Sequence, residues 1–193
     1  MRTEVLIGEQ LAPHLNALAE LRITVFREWP YLYDGERRYE EAYLRKFLAC
    51  PESIMVLAWD GDRVVGASSG LPLAAEDAAL RRPFEDEGWD VAQLFYCGES
   101  VLLSEYRGRG LGRVFFDERE AHARRLGYSW ICFAGVRRPA EHPRRPAAYV
   151  PLDGFWQRRG YEKRPELSTE FSWRDLDEAQ ESPKPMTFWV RRL

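Results

Sequence analysis

Short apolar runs alternate with longer stretches in which apolar residues recur every three or four positions, and that change of rhythm predicts the elements. Residues 3–7 have strand length. Pro13 then opens a helix on which Leu15, Leu18, Leu21, Val25 and Phe26 share one face. That helix is expected to stop at Trp29-Pro30, because a residue before proline is pushed out of the α region. An aromatic loop, Tyr31-Leu-Tyr-Asp-Gly35, leads into a second helix over 37–48 carrying Tyr39, Tyr43, Leu44, Phe47 and Leu48. Residues 53–59 and 63–71 read as a hairpin turning at Asp60-Gly61-Asp62. After a turn of helix at 74–80, residues 93–103 read as one central strand in which Gly98 marks a bulge or a close backbone approach. A helix with Leu111, Val114, Phe115 and Leu126 follows, closed by Gly127, and residues 128–134 form a strand parallel to the central one. Residues 171–173 supply a strand fragment and 186–190 the last strand.

Between the central strand and its helix lies Arg107-Gly-Arg-Gly-Leu-Gly-Arg113. Strand, glycine loop and helix together suit an anion: glycines let the backbone approach it, and the first amides of a helix have no partner inside the helix. Two familiar glycine loops are excluded by spacing. The dinucleotide fingerprint requires a glycine where Arg113 stands, and a nucleotide P-loop requires a Gly-Lys pair, which the chain lacks. A plain tight turn is the competing reading.

Composition narrows the class. At 193 residues, with 45% hydrophobic and 31% charged residues, the chain suits one globular domain, and no linker or repeat divides it. A net charge of −3 argues against a general nucleic-acid binder. Cys50, Cys97 and Cys132 are odd in number and widely spaced, which suits reduced thiols, and no metal site is expected. Neither a signal peptide nor a membrane span is read, so the cytoplasm is the expected location.

Arg107-Gly-Arg-Gly-Leu-Gly112 resembles the R/Q-x-x-G-x-G/A motif of the GNAT superfamily, the acyl-CoA-dependent N-acyltransferases. Phe155-Trp-Gln-Arg-Arg-Gly-Tyr161 resembles the F-Y-x-x-x-G-F segment of the same core. The resemblance is concentrated in 93–161. It implies an α+β domain spanning 1–193, with a mixed, mostly antiparallel sheet splayed at its central strand and helices on both faces. It also implies acetyl-CoA as cofactor. The backbone of Val101, Leu102 and Leu103 would hold the pantetheine arm. The pyrophosphate would lie on Arg107, Gly108, Arg109, Gly110, Leu111, Gly112 and Arg113, and Phe155 and Trp156 would flank the thioester. The acceptor would be a primary amine of a small molecule or peptide, approached past Trp29, Tyr31 and Tyr33, with no nucleic-acid or membrane partner and a monomeric or homodimeric state. A non-catalytic acyl-CoA-binding module stays open, because a fold does not establish an activity.

Glu99 is the candidate general base, acting through water. It is the one carboxylate of the central strand, and burial against an apolar wall is expected to raise its pKa. A carboxylate bonded to neighbouring backbone or to an arginine is the competing reading. Many GNAT members carry a tyrosine where Trp156 stands. An indole cannot supply the proton that phenol would give the leaving sulfur, so either the thiolate leaves unprotonated beside the positive loop or another phenol reaches it. Tyr149 is the candidate acid, with a packing role as the competing reading.

Overall fold

The computed structural model describes residues 1–193. On one side of its sheet, β1 (Arg2–Leu6), β2 (Ile54–Asp60) and β3 (Arg63–Pro72) run antiparallel in that order. β4 (Leu94–Tyr96) is antiparallel to β3 and parallel to β6 (Trp130–Val136). Beyond β6 lie β8 (Ser182–Arg192) and the edge strand β7 (Glu162–Trp173), both pairings antiparallel. Helices α1 (Leu15–Phe26) and α2 (Arg37–Ala49) cover one face, where Tyr43 and Phe47 approach Gly98. Helix α4 (Leu111–Arg125) covers the other, where Phe115 approaches Gly66, and α5 (Asp153–Arg158) joins it there through Phe155 on Phe116. The expected architecture is therefore the observed one.

The central strand is not continuous. It breaks after β4 and resumes as β5 (Ser100–Leu102), which pairs only with β3. The break is built around Ser69: its carbonyl accepts Gly98 N–H at 3.2 Å, its amide donates to Glu99 O at 3.1 Å, and its Oγ accepts Glu99 N–H at 3.2 Å. A Cβ on Gly98 would stand 2.7 Å from Ser69 Oγ and 3.0 Å from the Tyr43 hydroxyl, so only glycine fits. β5 therefore stays with β3, while β6 pairs on its far side with β8 through Val136. Parallel pairing with β6 is confined to Leu94–Tyr96. Arg119 of α4, only 2% exposed, fills the fork. Its Nη1 donates to Ser69 O at 3.2 Å and to Glu99 O at 3.0 Å, and its Nε to Phe115 O at 3.2 Å.

Helix α4 is also tied to the loop before β2. His122 is buried, with Nε2 2.8 Å from Glu52 O and Nδ1 2.8 Å from Arg125 Nη2. Burial, reinforced by Arg125, lowers the pKa of this imidazole. A group whose pKa is depressed on folding contributes stability that is present above its unfolded pKa and is lost as pH falls through the folded one. The melting temperature is thus expected to fall as pH drops below about 6.5, the ordinary histidine value. His122→Gln should flatten that segment of a pH series of thermal melts.

Candidate active site

The glycine loop follows a 3₁₀ turn at Ser104–Tyr106, fixed by the Tyr106 hydroxyl donating to Asp60 Oδ2 at 2.7 Å. Gly108 (φ +74°) and Gly110 (φ +87°) take left-handed backbone, which turns the chain into α4. The amides of 108–112 have no partner within the chain; the first bonded ones are Arg113 and Val114, both donating to Gly110 O. Gly112 differs from the other two. Its backbone is helical, while a Cβ at any of the three would meet nothing within 4 Å. Glycine inside a helix costs about 1 kcal/mol relative to alanine, and nothing in the chain requires it here. Open space above a glycine with no internal need for being one, facing unpartnered amides at the start of a 15-residue helix, fits a phosphate-bearing ligand. Arg113 is exposed and makes no ion pair. Arg109 donates to Glu105 O at 2.7 Å and lies over Tyr106, and Arg107 pairs with Glu28 at 2.7 Å.

Beside the loop, Leu103 N–H donates to Val65 O and Ser69 N–H to Glu99 O, so 99, 101 and 103 turn their backbone toward β3. The backbone polar groups of Ser100 and Leu102 therefore face away, across the fork. Leu102 O accepts both Nε (3.1 Å) and Nη2 (3.0 Å) of Arg107. Val101, Leu103 and Leu111 bury their side chains in the core. On the opposite arm, Trp156 rests edge-on against Phe133 (4.9 Å between centroids) and Trp189 (5.1 Å), with Gly135 beneath it.

Glu99 does not have the environment expected of a base. Its Oε2 lies 2.7 Å from Arg22 Nη1, as an ion pair rather than an aligned hydrogen bond, and accepts the Tyr43 hydroxyl at 2.8 Å. Burial pushes its carboxyl up, but Arg22 and Tyr43 outweigh that and leave its pKa below the ordinary carboxylate value. The arginine-bonded carboxylate that competed with the base reading is the environment found, with Arg22 as the arginine. Arg22 is shared with Glu40, which is completely buried, and the two carboxylates hold the guanidinium charged despite its own burial. Lys46 closes the far end of this network, donating to both oxygens of buried Glu76 at 2.7 and 2.8 Å.

Above this network sits the aromatic loop. Arg138 straps it down, donating to Pro30 O, Tyr31 O and both oxygens of Asp175, and Trp173 Nε1 donates to Tyr31 O and Asp175 Oδ1 as well. Trp29 meets His142 (5.0 Å) and Tyr149 (5.9 Å). Burial first and Glu99 second push the Tyr31 phenol up to about 12; Arg22 and Tyr149 lie within the same electrostatic reach. Tyr31 thus lies within electrostatic reach of both Glu99 and Tyr149, and Tyr149 meets Trp29. Tyr33 stands on the Glu40 side of the Arg22 network, with its ring against Gly35. Tyr149 touches Trp29 rather than Trp156, and burial raises its pKa, so Oη keeps its proton through the neutral range. Arg22, Tyr43, Arg119 and His142 belong to this site and were not expected there. Two had a signal: Arg22 falls four residues after Leu18 and Tyr43 four before Phe47, on the apolar stripes of their helices.

No helix is long and apolar enough to cross a membrane, and no group of three or more His, Cys, Asp or Glu is arranged to hold a metal ion. The sequence profile of the acetyltransferase (GNAT) family matches residues 17–148. No curated protein matches by sequence. Among solved structures, a ribosomal-protein-alanine N-acetyltransferase from Brucella melitensis is similar over the whole of both chains, at 14% identity and a TM-score of 0.65. A GCN5-related N-acetyltransferase from Kribbella flavida is similar over 99% of this chain and 98% of that one, at 16% identity and a TM-score of 0.60. An aminoglycoside 6'-N-acetyltransferase complexed with coenzyme A covers 100% of this chain with 97% of its own, at 15% identity and a TM-score of 0.59.

Proposed function

The chain belongs to the acetyltransferase (GNAT) family, and from that premise we propose that it transfers an acetyl group from acetyl-CoA to a primary amine of a small molecule or peptide by direct attack. The observation that carries the cofactor assignment is the row of unpartnered amides at 108–112, with Gly112 open above it, next to the outward-facing backbone of Ser100 and Leu102. Those amides would hold the pyrophosphate, Ser100 and Leu102 the pantetheine arm, and Trp156 would shield the reacting end from water. A similar fold complexed with coenzyme A supports this. Similar folds named for protein alanine and for aminoglycosides leave both kinds of amine in play.

Acetyl-CoA supplies an activated thioester when bound. The protein's part is to orient the amine, exclude water and place a proton. Glu99, held ionised by Arg22 and Tyr43, fixes the fork and the floor beneath the aromatic loop rather than taking the amine proton. Tyr149 Oη, kept protonated by burial, would give its proton to the leaving sulfur as the C–S bond breaks and take back the proton that the amine loses as the C–N bond forms. Tyr149→Phe is then expected to lower kcat by roughly 10²-fold with acetyl-CoA affinity unchanged, read where chemistry limits the rate. Full kcat in that variant would remove Tyr149 from the proton path.

The ion-paired state of Glu99 is also the observation that favours the second reading, a non-catalytic acyl-CoA-binding module. Thiol release from acetyl-CoA over a panel of amines separates the two. Amine-dependent release supports transfer; tight binding with no release from any amine supports the module.

A further inference from the structure

The charges around the aromatic loop are unevenly matched. Glu28 is paired with Arg107, Asp34 with Arg27 and Arg174, Asp153 with Lys163, and Asp175 with Arg138 and Lys184. On the neighbouring loop, residues 137–149, Arg137, Arg144 and Arg145 make no ion pair, and Glu141 is the one carboxylate among them. In a chain of net charge −3 this is a local surplus of positive charge, and it stands beside Trp29.

Geometry places that surplus against the aromatic loop. Arg145 lies 5.6 Å over the Tyr149 ring, Tyr149 is 5.9 Å from Trp29, and Trp29 is 5.0 Å from His142. Arg144 follows at once, its amide donating to His142 Nδ1 at 3.2 Å. The indole N–H of Trp29 is shut off from solvent and has no hydrogen-bond partner, an unmet demand for an acceptor oxygen. An aromatic wall, a free guanidinium and an unpartnered donor suit a ligand with an aromatic body and an anionic, oxygen-bearing group. They disfavour a polycation, which would meet like charge.

We propose that the acceptor is an amine that also carries a carboxylate, of the size of an aromatic amino acid, with its carboxylate held by Arg145 and Arg144 beside the Trp29–Tyr149 wall. This rests on the acetyl-transfer reading above and names the substrate class of that site. Charge-assisted hydrogen bonds to one carboxylate should favour such an amine by about ten- to a hundredfold over its decarboxylated counterpart.

The test compares L-phenylalanine, 2-phenylethylamine and spermidine by calorimetric titration of the full-length protein, with and without coenzyme A, alongside a separate titration of acetyl-CoA. Tighter binding of phenylalanine, with a preference that shrinks as salt rises and collapses in Arg144→Gln/Arg145→Gln, is the expected result. Both substitutions lie on a surface loop, and circular dichroism checks that the variant is folded. Equal binding of the two aromatic amines, tighter binding of spermidine, no binding of any of the three, or a preference that survives the double substitution would overturn the proposal. Failure of acetyl-CoA to bind would instead count against the acetyl-transfer reading, while the amine titrations without coenzyme A still report the carboxylate preference.

Discussion

Replacing Gly112 by aspartate is expected to leave the protein at least as stable as it is now while removing most of its affinity for acetyl-CoA. The two effects have separate causes. Gly112 is in the first turn of α4 with helical backbone and free space around it, so a side chain there relieves the glycine penalty. A carboxylate near the positive end of the helix dipole adds about 0.3–1 kcal/mol more. The same carboxylate would face the phosphates that the amides of 108–112 are proposed to hold. Two like charges about 4 Å apart near a protein surface repel by about 4 kcal/mol, close to a thousandfold in affinity. Gly110→Asp should also abolish binding, but with φ at +87° it strains the loop and costs stability. Thermal melts and calorimetric titration with acetyl-CoA read both quantities for Gly112→Asp. Unchanged affinity in a folded variant would mean that the loop does not hold phosphate.

Arg22→Met is expected to give the largest loss of stability of any single substitution at the site. Arg22 is the shared counter-charge of Glu40 and Glu99, both buried. Removing it leaves two carboxylates unpaired in the interior, a change that costs about 3–5 kcal/mol, a large share of the roughly 5–15 kcal/mol that holds a typical domain together. The sign of the pH dependence should reverse as well. In the native protein the lowered pKa of Glu99 contributes stability that is present above its unfolded value and lost as pH falls through the folded one. Without Arg22, burial, the largest influence, is opposed only by the Tyr43 hydroxyl and Lys46 and raises that pKa, so the variant should regain stability as pH falls toward the range where the carboxyls protonate. Urea denaturation of both proteins across the acid range checks this. An Arg22→Met protein within about 1 kcal/mol of the parent would show that the pair is solvated, as exposed pairs are.

Local rules were enough for much of the fold. The hairpin was legible because Asp60-Gly61-Asp62 stands between two apolar runs, and the helix after the glycine loop because its stripe ends at Gly127, which takes φ +87°. Where long-range pairing decides, the pattern misled. β7 runs the full length Glu162–Trp173, although only 171–173 read as strand. As an edge strand it has charged residues and Pro165 within it, with a register shift between Arg164 and Ser168. Helix α3 (Ala78–Asp86) extends through Pro83, which cannot donate to Ala79 O; Thr169 Oγ1 of β7 donates to that carbonyl instead, at 2.7 Å. The site divides in the same way. The glycine loop was readable as a contiguous motif. The partners of Glu99 were not, because Arg22 and Tyr43 come from helices far away in the sequence, and the break that positions Glu99 depends on Ser69 and Arg119 as much as on Gly98.

The central claim is that acetyl-CoA is held by backbone at the glycine loop and along the open edge of β5. Amide hydrogen exchange with and without acetyl-CoA tests it most directly, because the groups at issue are themselves amides. Protection on binding should be concentrated at 108–112 and at Ser100 and Leu102, while Val101 and Leu103, already turned toward β3, change little. Binding that leaves 108–112 and Leu102 exchanging as fast as in the free protein would contradict the claim.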